Sequence, residues 1–165
     1  MKKSLIFVFL LIFFAGVVAA QETEYVVDVE IQSVGSDCRA GYTSTGTFRE
    51  GDGDEVRHCL KKTENLIQGQ RYVYNAFFEV GSSCSTGEEK GFFEDKDERR
   101  VNLCVERITR SAGPLSGRLL LADAKIGIYN PVTLTFCPGF THGVGIEIDN
   151  ADWTKSVTYC VKRSS

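Results

Sequence analysis

The chain has 165 residues, carries 22 acidic against 19 basic side chains and has a formal charge of −3 at neutral pH. That acidic balance, with no cluster of Lys and Arg, argues against nucleic acid as a partner, because phosphate binding needs a positive face. It also weakens any simple attraction to anionic membranes.

In chain order, the first element is a secretion signal. Met1-Lys2-Lys3 is a short basic start, Leu5 to Phe14 is an almost unbroken apolar run, and Val18-Ala19-Ala20 supplies small residues before Gln21. The apolar stretch ends by about Ala20 with the small-residue site directly after it, which favours cleavage over an uncleaved membrane anchor. Losing Lys2 and Lys3, and no acid, moves the formal charge of the remaining chain from −3 to −5. No comparable apolar span follows, and Val161 to Ser165 carries no retention or lipid-anchor pattern. The expectation is a secreted, extracellular, soluble protein that is not integral to a membrane, with residues 21–165 forming a single domain.

The mature segment contains six cysteines in three similar intervals, Cys38 to Cys59, Cys84 to Cys104 and Cys137 to Cys160. The residues around them recur in the same order, so the chain reads as one disulfide-stapled unit written three times, over about 25–67, 71–110 and 118–163. An oxidising destination lets such pairs persist as disulfides, each closing a loop of about twenty residues. Pairing all six leaves no free thiol for covalent catalysis.

Within each copy, apolar and polar residues alternate, as in Val27, Val29 and Ile31 or Ala124, Ile126 and Ile128, which is the two-residue period of a half-buried strand. Gly51-Asp52-Gly53-Asp54 has the composition of a hairpin turn. A few helical turns fit only around Lys62 to Gln68, before Gly69 and the later Ala112-Gly113-Pro114 linker break the pattern. The predicted fold is all-β: three antiparallel sheets packed around a pseudo-threefold axis as a β-prism, with a two-sheet β-sandwich as the alternative.

Candidate chemistry follows from the recurrent polar and aromatic positions. Acids gather at the predicted tips: Asp52 and Asp54, Asp95 and Asp97, Asp149 and Asp152. Carboxylates at alternate turn positions can supply part of a calcium shell, although Asp and Gly are also what hairpin turns prefer. No other cofactor is indicated. The histidines are His58, beside Cys59, and His142 in a Gly-rich loop; neither belongs to a nucleophile or metal motif, so no catalytic residue is assigned and no enzymatic activity is expected. Adjacent Phe92 and Phe93 must point to opposite faces of one strand, so one ring of the pair is offered outward. With Tyr42, Phe140 and Trp153 they form the candidate ligand-binding set, able to contact a glycan, a lipid or a protein.

The segments Cys38-Arg39-Ala40-Gly41-Tyr42 with Cys59-Leu60-Lys61-Lys62, and Phe136-Cys137-Pro138-Gly139-Phe140 with Cys160-Val161-Lys162-Arg163, resemble the multivesicular-body-associated β-prism domain. The second copy departs from the pattern, since Gly87 is followed by Glu88 and not by an aromatic residue. The resemblance implies a threefold prism with no catalytic apparatus, used as a binding or membrane-attachment module. That family's basic, partly apolar loop is replaced here by acidic tips. The expected function is non-enzymatic recognition of an extracellular or surface ligand through the loop tips. The alternative is a secreted β-sandwich that carries a lipid or acts as an inhibitor.

Overall fold

A computed structural model describes residues 24–33, 37–49, 55–111, 118–129, 137–143, 145–148 and 155–164. The predicted signal segment 1–20 and the candidates Asp52, Asp54, Asp149, Asp152 and Trp153 lie outside the described residues. Inside them the chain forms strands alone: β1 (Tyr25–Ser33), β2 (Thr43–Arg49), β3 (Glu55–Thr63), β4 (Arg71–Val80), β5 (Glu88–Glu94), β6 (Arg100–Thr109), β7 (Leu121–Tyr129), β8 (Thr141–His142), β9 (Ile146–Ile148) and β10 (Lys155–Arg163). No helical turn forms over Lys62 to Gln68, where the sequence left room for one, because β3 runs on to Thr63 and the link beyond it is tied down by Tyr72. The buried Tyr72 hydroxyl donates to the Asn65 carbonyl at 3.0 Å and accepts the Ile67 N–H at 2.6 Å.

The strands form three separate antiparallel sheets with one plan, ordered β1-β3-β2, β4-β6-β5 and β7-β10-β8, with β9 also on β10. The closing strand of each copy is always the central one. This is the β-prism, and the two-sheet alternative is displaced. Each disulfide joins the link after the first strand to that central strand: Cys38–Cys59, Cys84–Cys104 and Cys137–Cys160, with Cα separations of 5.7, 5.6 and 6.3 Å. The repeated glycine behind the first cysteine has the same backbone in all copies, with φ of 83° at Gly41, 81° at Gly87 and 77° at Gly139. The Tyr42 N–H to Arg39 carbonyl and Phe140 N–H to Cys137 carbonyl bonds, both 3.0 Å, close turns that need a left-handed residue in third place.

Strand register shows the kinship of the copies more sharply than composition does. In every first strand one residue is skipped by the ladder, namely Val27, Tyr74 and Ala122, each three residues before the one opposite the central cysteine. In every outer strand one extra residue is inserted just after the position opposite that cysteine, between Ser44 and Gly46, between Glu89 and Phe92, and between His142 and Ile146. A bulge changes which side chains face inward. The simple alternation Val27, Val29, Ile31 is thereby corrected: Val26, Val29 and Ile31 are buried, and Val27 stands half-exposed on the bulge.

The inward faces then match position by position. The central strands contribute Val56, His58 and Leu60; Val101, Leu103 and Val105; and Val157, Tyr159 and Val161. The first strands add Val26 and Val29, Val73 and Ala76, and Leu121 and Ala124 at equivalent places. A chain of edge-to-face rings crosses between sheets, from Phe48 to Phe93 to Phe78 to Tyr159, with centroids 5.0, 5.0 and 5.3 Å apart. No single sheet could bury its face alone, and fully burying each such side chain contributes about 1.5–3 kcal/mol.

The copies are also fastened at their rims by a cyclic set of cations, one at the third residue after each central cysteine. Lys62 Nζ reaches Asp123 at 2.9 Å, Arg107 pairs with Asp28, and Arg163 Nη1 donates to the Tyr74 carbonyl at 2.8 Å. Each thus lands at or beside the bulge of another copy's first strand. Asp28 and Asp123 occupy the same bulge position and each accepts the following N–H, from Val29 at 2.9 Å and Ala124 at 3.0 Å. The basic ending shared by the three copies therefore closes the prism.

Candidate functional site

Of the described candidates, Phe92, Tyr42 and Phe140 fall on the outer faces, Asp95 and Asp97 on one tip, and Phe93 inside. Phe93 turns inward and is 1% exposed, so it fills the core and is removed from the ligand-binding set. Its neighbour Phe92 is 46% exposed on the outer face of the second sheet. The Arg100 guanidinium lies 3.6 Å from the Phe92 centroid, and its Nε donates to Asn102 Oδ1 at 2.8 Å while its other arm pairs with Glu89. Ring and cation are held as a fixed, stacked pair.

Tyr42 and Phe140 occupy equivalent positions on the outer faces of the other two sheets, each directly after its left-handed glycine. Tyr42 has Arg39 at 4.9 Å and Lys61 at 5.9 Å from its ring centroid, and its hydroxyl donates to Asp28 at 2.6 Å. Burial and the neighbouring Asp28 carboxylate push the Tyr42 phenol up to about 12. Arg39 in turn pairs with Glu30, which holds the guanidinium charged. Phe140 carries Lys125 at 4.5 Å. The candidate rings are therefore not gathered into one platform; the exposed Phe92 and the half-buried Tyr42 and Phe140 lie on three different sheets, each beside a cation.

The second copy keeps this arrangement of charge with a different residue. Glu88, standing where Tyr42 and Phe140 stand, binds Arg71 at 2.5 Å and Arg107 at 2.9 Å, with Lys90 at 3.4 Å. Burial opposes its ionisation, but these cations hold its carboxyl below the usual range. The sequence reading passed over these cations and over Arg118, which stacks at 4.4 Å on Tyr74. Of these, Arg107 alone had a signal in the sequence, the base that recurs three residues after each central cysteine.

Of the candidate metal ligands, Asp95 and Asp97 lie in the described β5–β6 tip. Asp95 is 7% exposed, and both its oxygens are used. Oδ1 accepts the N–H groups of Asp97 and Arg99 at 2.9 Å, and Oδ2 accepts Arg99 Nε at 2.8 Å. Burial alone would raise its pKa, yet the Arg99 and backbone bonds outweigh that and lower it. Asp95 is thus corrected from calcium ligand to organiser of its turn. Asp97 pairs with Lys96 and Arg99, and the Lys96 N–H donates to the Glu147 carbonyl at 3.0 Å, fastening this tip to β9 of the third copy. Among the described residues the one compact group of ligand-type atoms is Glu79 with Cys84 and Cys104, and there both sulfurs are joined in a disulfide.

His58 lies inside the prism and is fully buried. Its Nε2 is 2.8 Å from the Tyr159 hydroxyl, and its Nδ1 is bonded to the Thr45 hydroxyl. Burial pushes its pKa down to about 4, so the ring is neutral at physiological pH and cannot exchange protons with a substrate. No helix among the described residues is long and apolar enough to cross a membrane. No protein-family model, curated protein or solved structure matches the chain.

Proposed function

We propose that the protein is a secreted, non-enzymatic binding module that recognises an extracellular or surface ligand, whether glycan, lipid or protein. The observation that carries this reading is the stacked Phe92–Arg100 pair, a 46% exposed ring beside a guanidinium that Asn102 and Glu89 hold in place. Large rings exposed on a rigid scaffold, with a cation already ordered beside them, lose little side-chain freedom on binding. Tyr42 with Lys61 and Phe140 with Lys125 repeat that chemistry on the other two faces.

Secretion is supported by the leader-like start and by three disulfides, which suit an oxidising compartment. A non-catalytic role is supported by the sealed His58 and by the absence of free cysteines. The kinship with the multivesicular-body-associated β-prism domain belongs to this same proposal, with recognition by outer-face rings in place of that family's basic loop.

A glycan and lipid array probed with residues 21–165 tests it. Retention of a ligand that Phe92→Ala releases at least tenfold, with melting temperature unchanged, supports the reading. A folded protein that retains nothing on either array, and pulls down no protein from extracellular fluid, overturns it.

A further inference from the structure

The residue just before the central cysteine occupies the same inward place in all three copies, as His58, Leu103 and Tyr159, exposed by 0%, 0% and 2%. Two of the three are polar, and they bond to each other across the boundary between the first and third copies. The imidazole and phenol rings stand edge to face with centroids 5.3 Å apart. The third partner, Thr45, is the residue displaced inward by the β2 bulge, and its hydroxyl takes the other ring nitrogen. We propose that His58 is a proton-operated lock, whose protonation loosens the seam between the first and third copies while the second copy stays closed.

The surroundings of the ring supply the reason. From β1 its ladder partner is Ile31, and from β10 it meets Tyr159, whose ring also packs edge to face on Phe78 of β4; the inward positions of β1 and β10 are otherwise the apolar Val29, Val157 and Val161. Glu30 and Arg57 alternate to the outer face, where Glu30 binds Arg39 and Arg57 pairs with Asp37. The acid that acts on the ring from β7 is Asp123, which makes no bond to it and is clamped by Lys62. A neutral ring needs one donor and one acceptor partner, and two hydroxyls satisfy either tautomer. A charged ring would sit among apolar side chains with no carboxylate in contact, which is the costly case.

Burial accordingly lowers the folded pKa to about 4, with Asp123 opposing the shift, against 6.5 for the ordinary ring. A lowered histidine pKa stabilises the folded form fully above the unfolded value. That stability drains as pH falls from 6.5 towards 4. The Tyr159 phenol is raised by burial, then by Asp123, and stays protonated throughout this window.

The test follows the wild-type protein from pH 7.5 to 4 by hydrogen exchange, as protection factors, and by NMR of the histidine rings assigned with His142→Gln. We expect β2, β3 and β10 to lose protection below pH 6 before β5 and β6 do, with the His58 ring titrating well below 6.5. In His58→Leu, which copies Leu103, the acid-induced fall in melting temperature should shrink by about 5–10 °C. Equal acid sensitivity in wild type and His58→Leu overturns the proposal. Should that variant not fold, a wild-type His58 ring titrating near 6.5, or uniform loss of protection across all three sheets, overturns it equally.

Discussion

The second and third copies carry the same central strand in different settings. In the second, β5 runs unbroken over Glu88–Glu94 and turns into β6 through a tip that Asp95 ties together. In the third, the same outer position is shared by the two-residue β8 and the three-residue β9. The inward residues survive the break, since Ile146 opposes Val157 as Phe93 opposes Val101. An outer strand is bonded along one side only, so its ladder can be interrupted at little cost once its apolar side chains reach the core. What the copies cannot vary is the bulged first strand, the central strand and the disulfide between them.

That contrast places the largest expected loss at the centre of the second copy. Leu103→Ala removes a fully buried side chain at the axis and should cost about 3–4 kcal/mol by denaturant unfolding. A cost below about 1 kcal/mol would show that the centre is no more sensitive than an edge. Replacing Cys84 and Cys104 together by Ala opens the second loop and should cost about 3 kcal/mol. An unchanged melting temperature would mean that the bridge constrains nothing the strands do not already hold. Asp95→Ala strips the tip of the acceptor for two backbone N–H groups and Arg99, and should cost about 2 kcal/mol. Hydrogen exchange should speed up at the β5–β6 tip, while β10 stays protected; spreading of the effect to β10 would make the tip part of the core.

The threefold, all-β plan was legible in the sequence because cysteine spacing, the glycine behind each first cysteine and the two-residue apolar period agree with one another. Side-chain parity was not. Val26 and Val27 are the same residue type, and so are Phe92 and Phe93; which one faces inward is decided by a bulge that composition does not mark. On β5 the extra residue coincides with Gly91, where φ is 110° and an added Cβ would strike the Ile31 carbonyl of the first copy. Only glycine allows that approach.

The candidate site was legible in part for a related reason. Phe92, Tyr42 and Phe140 were selected as rings, and they do lie on outer faces. Arg39 is near Tyr42 in the chain, but the partner cations Arg100, Lys61 and Lys125 come from other strands, so local spacing could not reveal them. Asp95 has the same local composition as an exposed tip acid, and it differs because Arg99, four residues later, folds back onto it. His58 looked incidental beside Cys59. Only alignment of the copies sets it beside Leu103 and Tyr159 at the closed centre, where its ring bonds to the Tyr159 hydroxyl.

The three sheets are each stapled within themselves and closed against one another by equivalent residues. Non-reducing peptide mapping of the purified chain by mass spectrometry tests this most directly. It should recover Cys38 with Cys59, Cys84 with Cys104 and Cys137 with Cys160 as separate linked peptides. A linked peptide that joins cysteines of two different copies would contradict it.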